Sequence, residues 1–300
     1  MYAPGLKVTL VDVVQALTRL GGVSDHATLV RLVPRRAVAA ACAAGDVIRV
    51  SRNLYALPAA NEARLAAARL SGVVSHLSAA LAHGWKVKRP PVLPMVTVRR
   101  NRSPGAVDGV DVRFGDWRPD ELDGVVTGPV RTVVDCARGL PFDEALAVAD
   151  AALRSGQVTR EQLEEAAGTS PRTGRPAALR VARCASGLAA NPFESVLRAT
   201  ALGVPGLSVV PQGAVGTVGH ADLTDARLRI AVEAESFEFH ALPEAFRYDI
   251  RRYTAMTRLG WLVVRFVWED AMHRPAYVHD TLADVVALRT QQKAVRAKRA

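Results

Sequence analysis

Leu10, Val13, Val14, Leu17 and Leu20 recur at helical spacing, and the pair Gly21-Gly22 ends the helix they predict. A second helix is expected from Ser24 as N-cap, burying Leu29 and Leu32. Val33-Pro34 then breaks the chain briefly, and Pro34 suits the first turn of a third helix that ends on Gly45. The runs DVIRV (46–50) and NLYAL (53–57) read as two short strands joined at Ser51-Arg52. Residues 1–58 therefore have the spacing of a winged helix-turn-helix.

The pattern from 59 to 168 predicts a small mixed domain. Its helices are expected at 62–70, 76–83, 130–138, 142–154 and 159–167, and its strands at 95–100 and 110–114. Thr159 and Gln162 form a capping box for the last of these helices. From 168 to 192 the chain carries Arg172, Arg175, Arg180 and Arg183 and no acid, so 169–190 reads as a basic linker. Residues 191–292 return to a regular alternation. A helix at 191–202 precedes strands at 207–211, 219–225 and 228–236, then a helix at 242–259, a continuous apolar strand at 261–268 and a final helix. The fold class expected is an α+β N-terminal winged helix-turn-helix and small mixed domain, followed by an α/β domain, with 293–300 as a disordered basic tail.

Composition adds partners and compartment. Of 300 residues, 49% are hydrophobic, enough for two or three cores. Cys42, Cys136 and Cys184 are too few and too scattered for a disulfide framework. No basic start with an apolar block opens the sequence, and no run of about 18 apolar residues occurs, so a cytoplasmic protein without membrane spans is expected. The 39 Lys and Arg exceed the 29 Asp and Glu by ten, and five of the cations are lysines. Arginine suits phosphate recognition because its guanidinium bonds in bidentate fashion, although a GC-rich coding bias gives the same excess.

Arg35 and Arg36 open the third helix, and Arg49 and Arg52 sit on the wing, so these four form the expected face for double-stranded DNA. Arg99 and Arg100, expected on a hairpin with Arg102, extend that face or simply solvate a turn. Ser75, His76 and His83 lack metal-ligand spacing and read as a cap and packed imidazoles.

The run GGVSDHATLV, followed by AAGDVIRVSRNLYALP, VVSHLSAALAHGW, MVTVRRNR, VVTGPVRTVVDCARGL and FDEALAVADAALRSGQVTREQL, resembles AbiEi-type antitoxins over about the first half of the chain. The resemblance implies a DNA-binding, often autorepressing regulator. By itself it does not imply a partner toxin; a cognate toxin and a second copy of the chain are both open as partners.

Chemistry concentrates in the last third. Asp222 interrupts one apolar strand, and alternation places Glu233 and Glu235 on one face at the end of the next. Carboxylates this close oppose one another's ionisation unless a divalent cation, Mg²⁺ or Mn²⁺, neutralises them. The alternative is that Asp222 is a strand-end residue and Glu235 solvent-exposed. The segments NPFESVLR, HADL, RIAVEAESFEFH, FRYDIRRYTAM and GWLVVRF are similar to the family related to very-short-patch-repair endonucleases, with the PD-(D/E)xK restriction-endonuclease-like fold.

That resemblance implies Asp222 and Glu233 as metal ligands and Glu194 as the helix-borne acid. It also implies Asp249 and Arg252 as the D-x-x-R of the long helix, and Arg265 as the arginine ending the last strand. The chain departs from the nuclease pattern at the lysine, whose position is Glu235, and no lysine lies between Lys88 and Lys293. Either His240 serves as general base or turnover has been lost. The expectation is a DNA-binding protein with a Mg²⁺-dependent endonuclease domain, in defence, mobile DNA or repair. The alternative is a regulator or AbiEi-like antitoxin with a catalytically silent nuclease fold; a protein-interaction adaptor is a third reading.

Overall fold

The computed structural model describes residues 13–20, 22–58, 61–105, 107–235 and 243–299. It is a mixed α+β chain with three sheets among the described residues, and it divides into two compact units. One comprises residues 1–83 and 90–132, the other 84–89 and 133–300.

The first unit begins with α1 (Val13–Arg19), β1 (Val23–Asp25), α2 (His26–Leu32), α3 (Arg35–Ala44), β2 (Ile48–Ser51) and β3 (Leu54–Ala56). Its three strands pair antiparallel in the order β1-β3-β2. Val13, Leu17, Leu29, Val38, Val47 and Tyr55 make its core. The cap of α2 is Asp25 rather than Ser24, because the helix begins at His26, directly after Asp25. The Asp25 carboxylate accepts the Thr28 amide at 2.9 Å. Helix α3 stops where expected, with Gly45 at φ 81°, a left-handed conformation that costs glycine nothing.

The rest of this unit holds α4 (Glu62–Arg69), β4 (Val73–Val74), α5 (His76–Ala82), β5 (Met95–Val98), β6 (Asp111–Phe114), β7 (Leu122–Asp123) and β8 (Val126–Thr127). They build a five-stranded sheet ordered β6-β5-β4-β8-β7. Strands β5 and β6 pair in parallel, so Arg99 and Arg100 lie on a crossover connection and not on a hairpin. Ser75 is fully buried. Its Oγ lies 2.9 Å from His76 Nδ1 and accepts from Thr97 at 2.8 Å, as packed polar groups do.

Helix α6 (Pro129–Gly139) carries the boundary between the units. In the second unit α7 (Phe142–Arg154), α8 (Arg160–Thr169) and α9 (Arg175–Cys184) precede α10 (Pro192–Ala201). Thr159 and Gln162 cap α8 reciprocally, as their spacing predicts. Where a linker is expected, α9 buries Ala178, Val181 and Ala182. Those small residues hide a helical stripe inside a basic, Pro- and Gly-rich composition.

The last sheet contains β9 (Val210–Ala214), β10 (His220–Asp225), β11 (Ile230–Glu235) and β12 (Leu262–Val267), in the order β12-β11-β10-β9. Strands β11 and β12 are parallel and joined through α11 (Pro243–Arg258); the other pairs are antiparallel. Helix α10 with α12 (Trp268–His273) and α13 (Pro275–Arg299) packs Phe193, Leu197, Met272 and Leu282 against Leu223, Ile230, Val232 and Phe266. On the other face Met256 and Tyr253 of α11 meet Ala231 and Val263. Residues 293–299, expected to be disordered, are the last turns of α13, a stretch of strong helix formers.

Candidate functional site

Register builds the site. Leu223 opposite Val232 brings Asp222 opposite Glu233, and Ala221 opposite Gly213 with Leu223 opposite Pro211 brings Gln212 opposite Asp222. Glu233 is paired with Arg265 on the parallel neighbour. Gln212, Asp222, Glu233 and Arg265 thus form one row across the four strands, and Glu235 stands two residues beyond on the same face. Asp222, Glu233 and Glu235 converge as their spacing predicts.

Each carboxylate has a donor. Asp222 accepts the Ala234 amide at 2.8 Å and the Gln212 side-chain amide at 3.2 Å. Glu233 accepts Arg252 Nη2 at 2.8 Å, a guanidinium that also donates to the His220 carbonyl. Glu235 accepts the Tyr253 hydroxyl and lies 3.6 Å from Arg265 Nε. Arg265 in turn sits 4.7 Å from the centre of the Tyr253 ring. One turn of α11 therefore delivers Arg252 to Glu233 and Tyr253 to Glu235, while Asp249 is half-buried three residues before Arg252.

Glu194 has a local task that its sequence context conceals. Asn191 caps α10 by accepting the Glu194 amide at 3.0 Å, and the Glu194 carboxylate accepts the Ala190 amide at 2.8 Å and the Asn191 side chain at 2.9 Å. N-P-F-E is thus a capping arrangement with the acid three residues into the helix. Gln212 Nε2, 3.5 Å from Glu194 and 3.2 Å from Asp222, links the cap to the row.

Burial governs the protonation. It raises Glu233 to about 8, with the nearby Asp222 adding to the rise and Arg252 opposing it. Burial also raises Asp222 and Glu194 from their ordinary values. Tyr253 is pushed up by burial and by its bond to Glu235. Burial works against the charge of Arg252, yet Glu233 and Tyr253 beside it leave its pKa above the ordinary value. Among the described residues no group of three or more His, Cys, Asp or Glu side chains is arranged to hold a metal ion. His240 lies outside the described residues.

The arginines expected to face DNA belong to the first unit. Arg35 and Arg36 are exposed on the first turn of α3. Arg49 in β2 and Arg52 in the turn that follows it are exposed, and Arg49 donates to the Arg52 carbonyl at 2.8 Å. Arg99 lies 4.4 Å from the centre of the Trp117 ring and Arg100 Nε 3.8 Å from Asp116.

Comparison with known proteins bears on the middle of the chain. Residues 72–181 match the AbiEi antitoxin C-terminal domain. This AbiEi-type segment runs from β4 through most of α9, across the boundary between the units. The uncharacterised proteins Rv2248 and MT2308 of two Mycobacterium tuberculosis strains are each 35% identical over 156 residues, 50% of this chain. The chain spans 58% of the length of these curated relatives. The solved structure of the RV2827C protein from Mycobacterium tuberculosis is 16% identical, covering 62% of this chain and 78% of its own, with a TM-score of 0.31. Among the described residues no helix is long and apolar enough to cross a membrane.

Sequence reasoning missed Gln212 and Tyr253. Gln212 has φ 50°, a conformation uncommon outside glycine, which fits the irregular backbone of β9 beside Gly213. The signal for Tyr253 was its place next to the arginine of D-x-x-R.

Proposed function

We propose that the chain is a DNA-binding regulator of the AbiEi antitoxin type, with a winged helix at its N-terminus and a restriction-endonuclease-like C-terminal fold that no longer cleaves. One observation carries the DNA reading: Arg35 and Arg36 stand exposed at the start of α3, directly after the two-residue break from α2. The helix N-terminus adds unsatisfied amides and a favourable dipole for phosphate, and the order α1-β1-α2-α3-β2-β3 supplies the wing. The AbiEi-type segment supports a regulator, with a cognate toxin or a second copy of the chain as protein partner.

Silence of the C-terminal fold is inferred from the donors around its carboxylates. A divalent cation needs oxygen lone pairs facing a common point. Here a guanidinium occupies Glu233, a hydroxyl and a second guanidinium occupy Glu235, and an amide pair occupies Asp222. These residues fit a cation poorly, and the position of the nuclease lysine holds Glu235. In favour of the nuclease reading stands the opposing placement of Asp222 and Glu233.

Two measurements test the proposal. Replacing Arg35 and Arg36 by Ala should weaken duplex binding and flatten the dependence of log K on log salt by about one unit for each phosphate no longer neutralised. An unchanged slope moves the DNA face off α3. Supercoiled plasmid should stay intact with Mg²⁺ or Mn²⁺; nicking that disappears in Asp222→Ala would restore the nuclease.

A further inference from the structure

At the far end of the β10–β11 hairpin from Glu233 lies a cavity of about 350 Å³ lined by Arg227, Arg229, Arg289 and Lys293, with Leu228, Gly260 and Gln292. It is large enough for on the order of ten waters. Three guanidiniums and an ammonium around one space repel each other, and the fold holds them there with backbone bonds. Arg289 donates to the Arg229 carbonyl at 2.9 Å, Arg229 to the Leu259 carbonyl at 3.2 Å, and Lys293 to the Arg227 carbonyl at 2.9 Å. Arg229 has φ 52°, a strained conformation for a side chain of its size. Asp225 lies 3.5 Å from Arg227, but its carboxylate is already committed to the Ser208 and Leu228 amides at 2.9 Å each. The cationic excess is built into the turn.

We propose that this cavity binds a phosphate group of a nucleic-acid backbone. A guanidinium carries five donors; Arg227 gives Nη2 to the Gly206 carbonyl and Arg229 gives Nη1 to the Leu259 carbonyl, leaving donors on both for a phosphate. The charge pattern of α13 favours a backbone over a single small anion. After Asp284 the sequence has five cations, Arg289, Lys293, Arg296, Lys298 and Arg299, and no acid, and Arg289 and Lys293, one turn apart on α13, share the face that lines the cavity. The identity of the polyanion as duplex DNA rests on the regulator reading; the cavity itself does not.

The test titrates a short random-sequence duplex against salt for four full-length proteins: wild type, Arg227→Gln/Lys293→Gln, Arg35→Ala/Arg36→Ala, and the four substitutions together. Substitution at the cavity should lower the log–log slope by about one unit for each phosphate it no longer neutralises, with or without the α3 substitutions. Arg227→Lys/Lys293→Arg, which preserves charge, should keep the wild-type slope. If only the cavity variant lowers the slope, the cavity stands and the α3 reading falls. An unchanged slope in the cavity variant overturns the proposal. So does inorganic phosphate raising the wild-type melting temperature, but not that of the variant, while the DNA slopes stay equal; the occupant is then a small anion.

Discussion

Glu233 holds its proton far above the ordinary carboxylate range, and this has a measurable consequence. Its ionisation moves from 4.5 to about 8 on folding, so between those values the native chain keeps a proton that the unfolded chain has released. Stability from this group is therefore complete below pH 4.5 and falls as pH rises to about 8, by at most about 1.4 kcal/mol per pH unit. Above that pH both states are ionised and the loss stops. Burial shifts Asp222 and Glu194 in the same direction, so they steepen the fall. Glu233→Gln keeps an acceptor for Arg252 and removes one titration, so its melting temperature should drop less than that of the wild type across this window. Parallel curves would assign the proton to Asp222 or Glu194. Because donors already occupy the oxygens of Glu233, Glu235 and Asp222, added Mg²⁺ or Mn²⁺ should leave the wild-type melting temperature flat, whereas a native-state ligand would raise it by mass action.

Among the described glycines, Gly213 of β9 has the least room for a side chain. A Cβ on Gly213 would lie 1.8 Å from Thr224 Oγ1, and Thr224 is buried in the next strand. Gly213→Ala should therefore cost about 1–3 kcal/mol in denaturant unfolding, since packed strands must separate to admit it. A change within error would mean that β9 yields freely at its edge. This site also marks how far the pattern was legible. Hydrophobic alternation located β10, β11 and β12 within two residues and put Glu233 and Glu235 on one face. It gave no means of seeing Gln212, because β9 is short, half-exposed and interrupted by Pro211 and Gly213. It missed α9 because Ala178 and Ala182 carry little apolar signal, and it could not show the capping bonds of Glu194, because a cap bond depends on backbone direction. The arginine partners of Glu233 and Glu235 come from 19 and 30 residues away, and separation of that kind leaves no local spacing to read.

Along the full length of the chain, the segment that matches the AbiEi family at residues 72–181 is tied to residues beyond it. Asp150 of α7 is fully buried and meets Arg198 of α10 through two bonds of 2.7 Å, while the Ser186 amide adds a third at 2.7 Å. Burial raises the Asp150 carboxyl even with Arg198 beside it, so without the arginine the charge would have no adequate partner. Arg198→Ala should destabilise the second unit by about 3–5 kcal/mol, whereas Asp150→Leu/Arg198→Met should recover most of the loss, because a buried pair replaced whole by apolar groups costs little. Equal loss in both variants would mean that the volume matters and the charge does not. The same pair limits how such genes can be shuffled. A crossover that keeps residues up to 185 and imports a different downstream partner would leave Asp150 facing an interior with no arginine, and only an incoming helix with a cation at the position of Arg198 would give a foldable chimera.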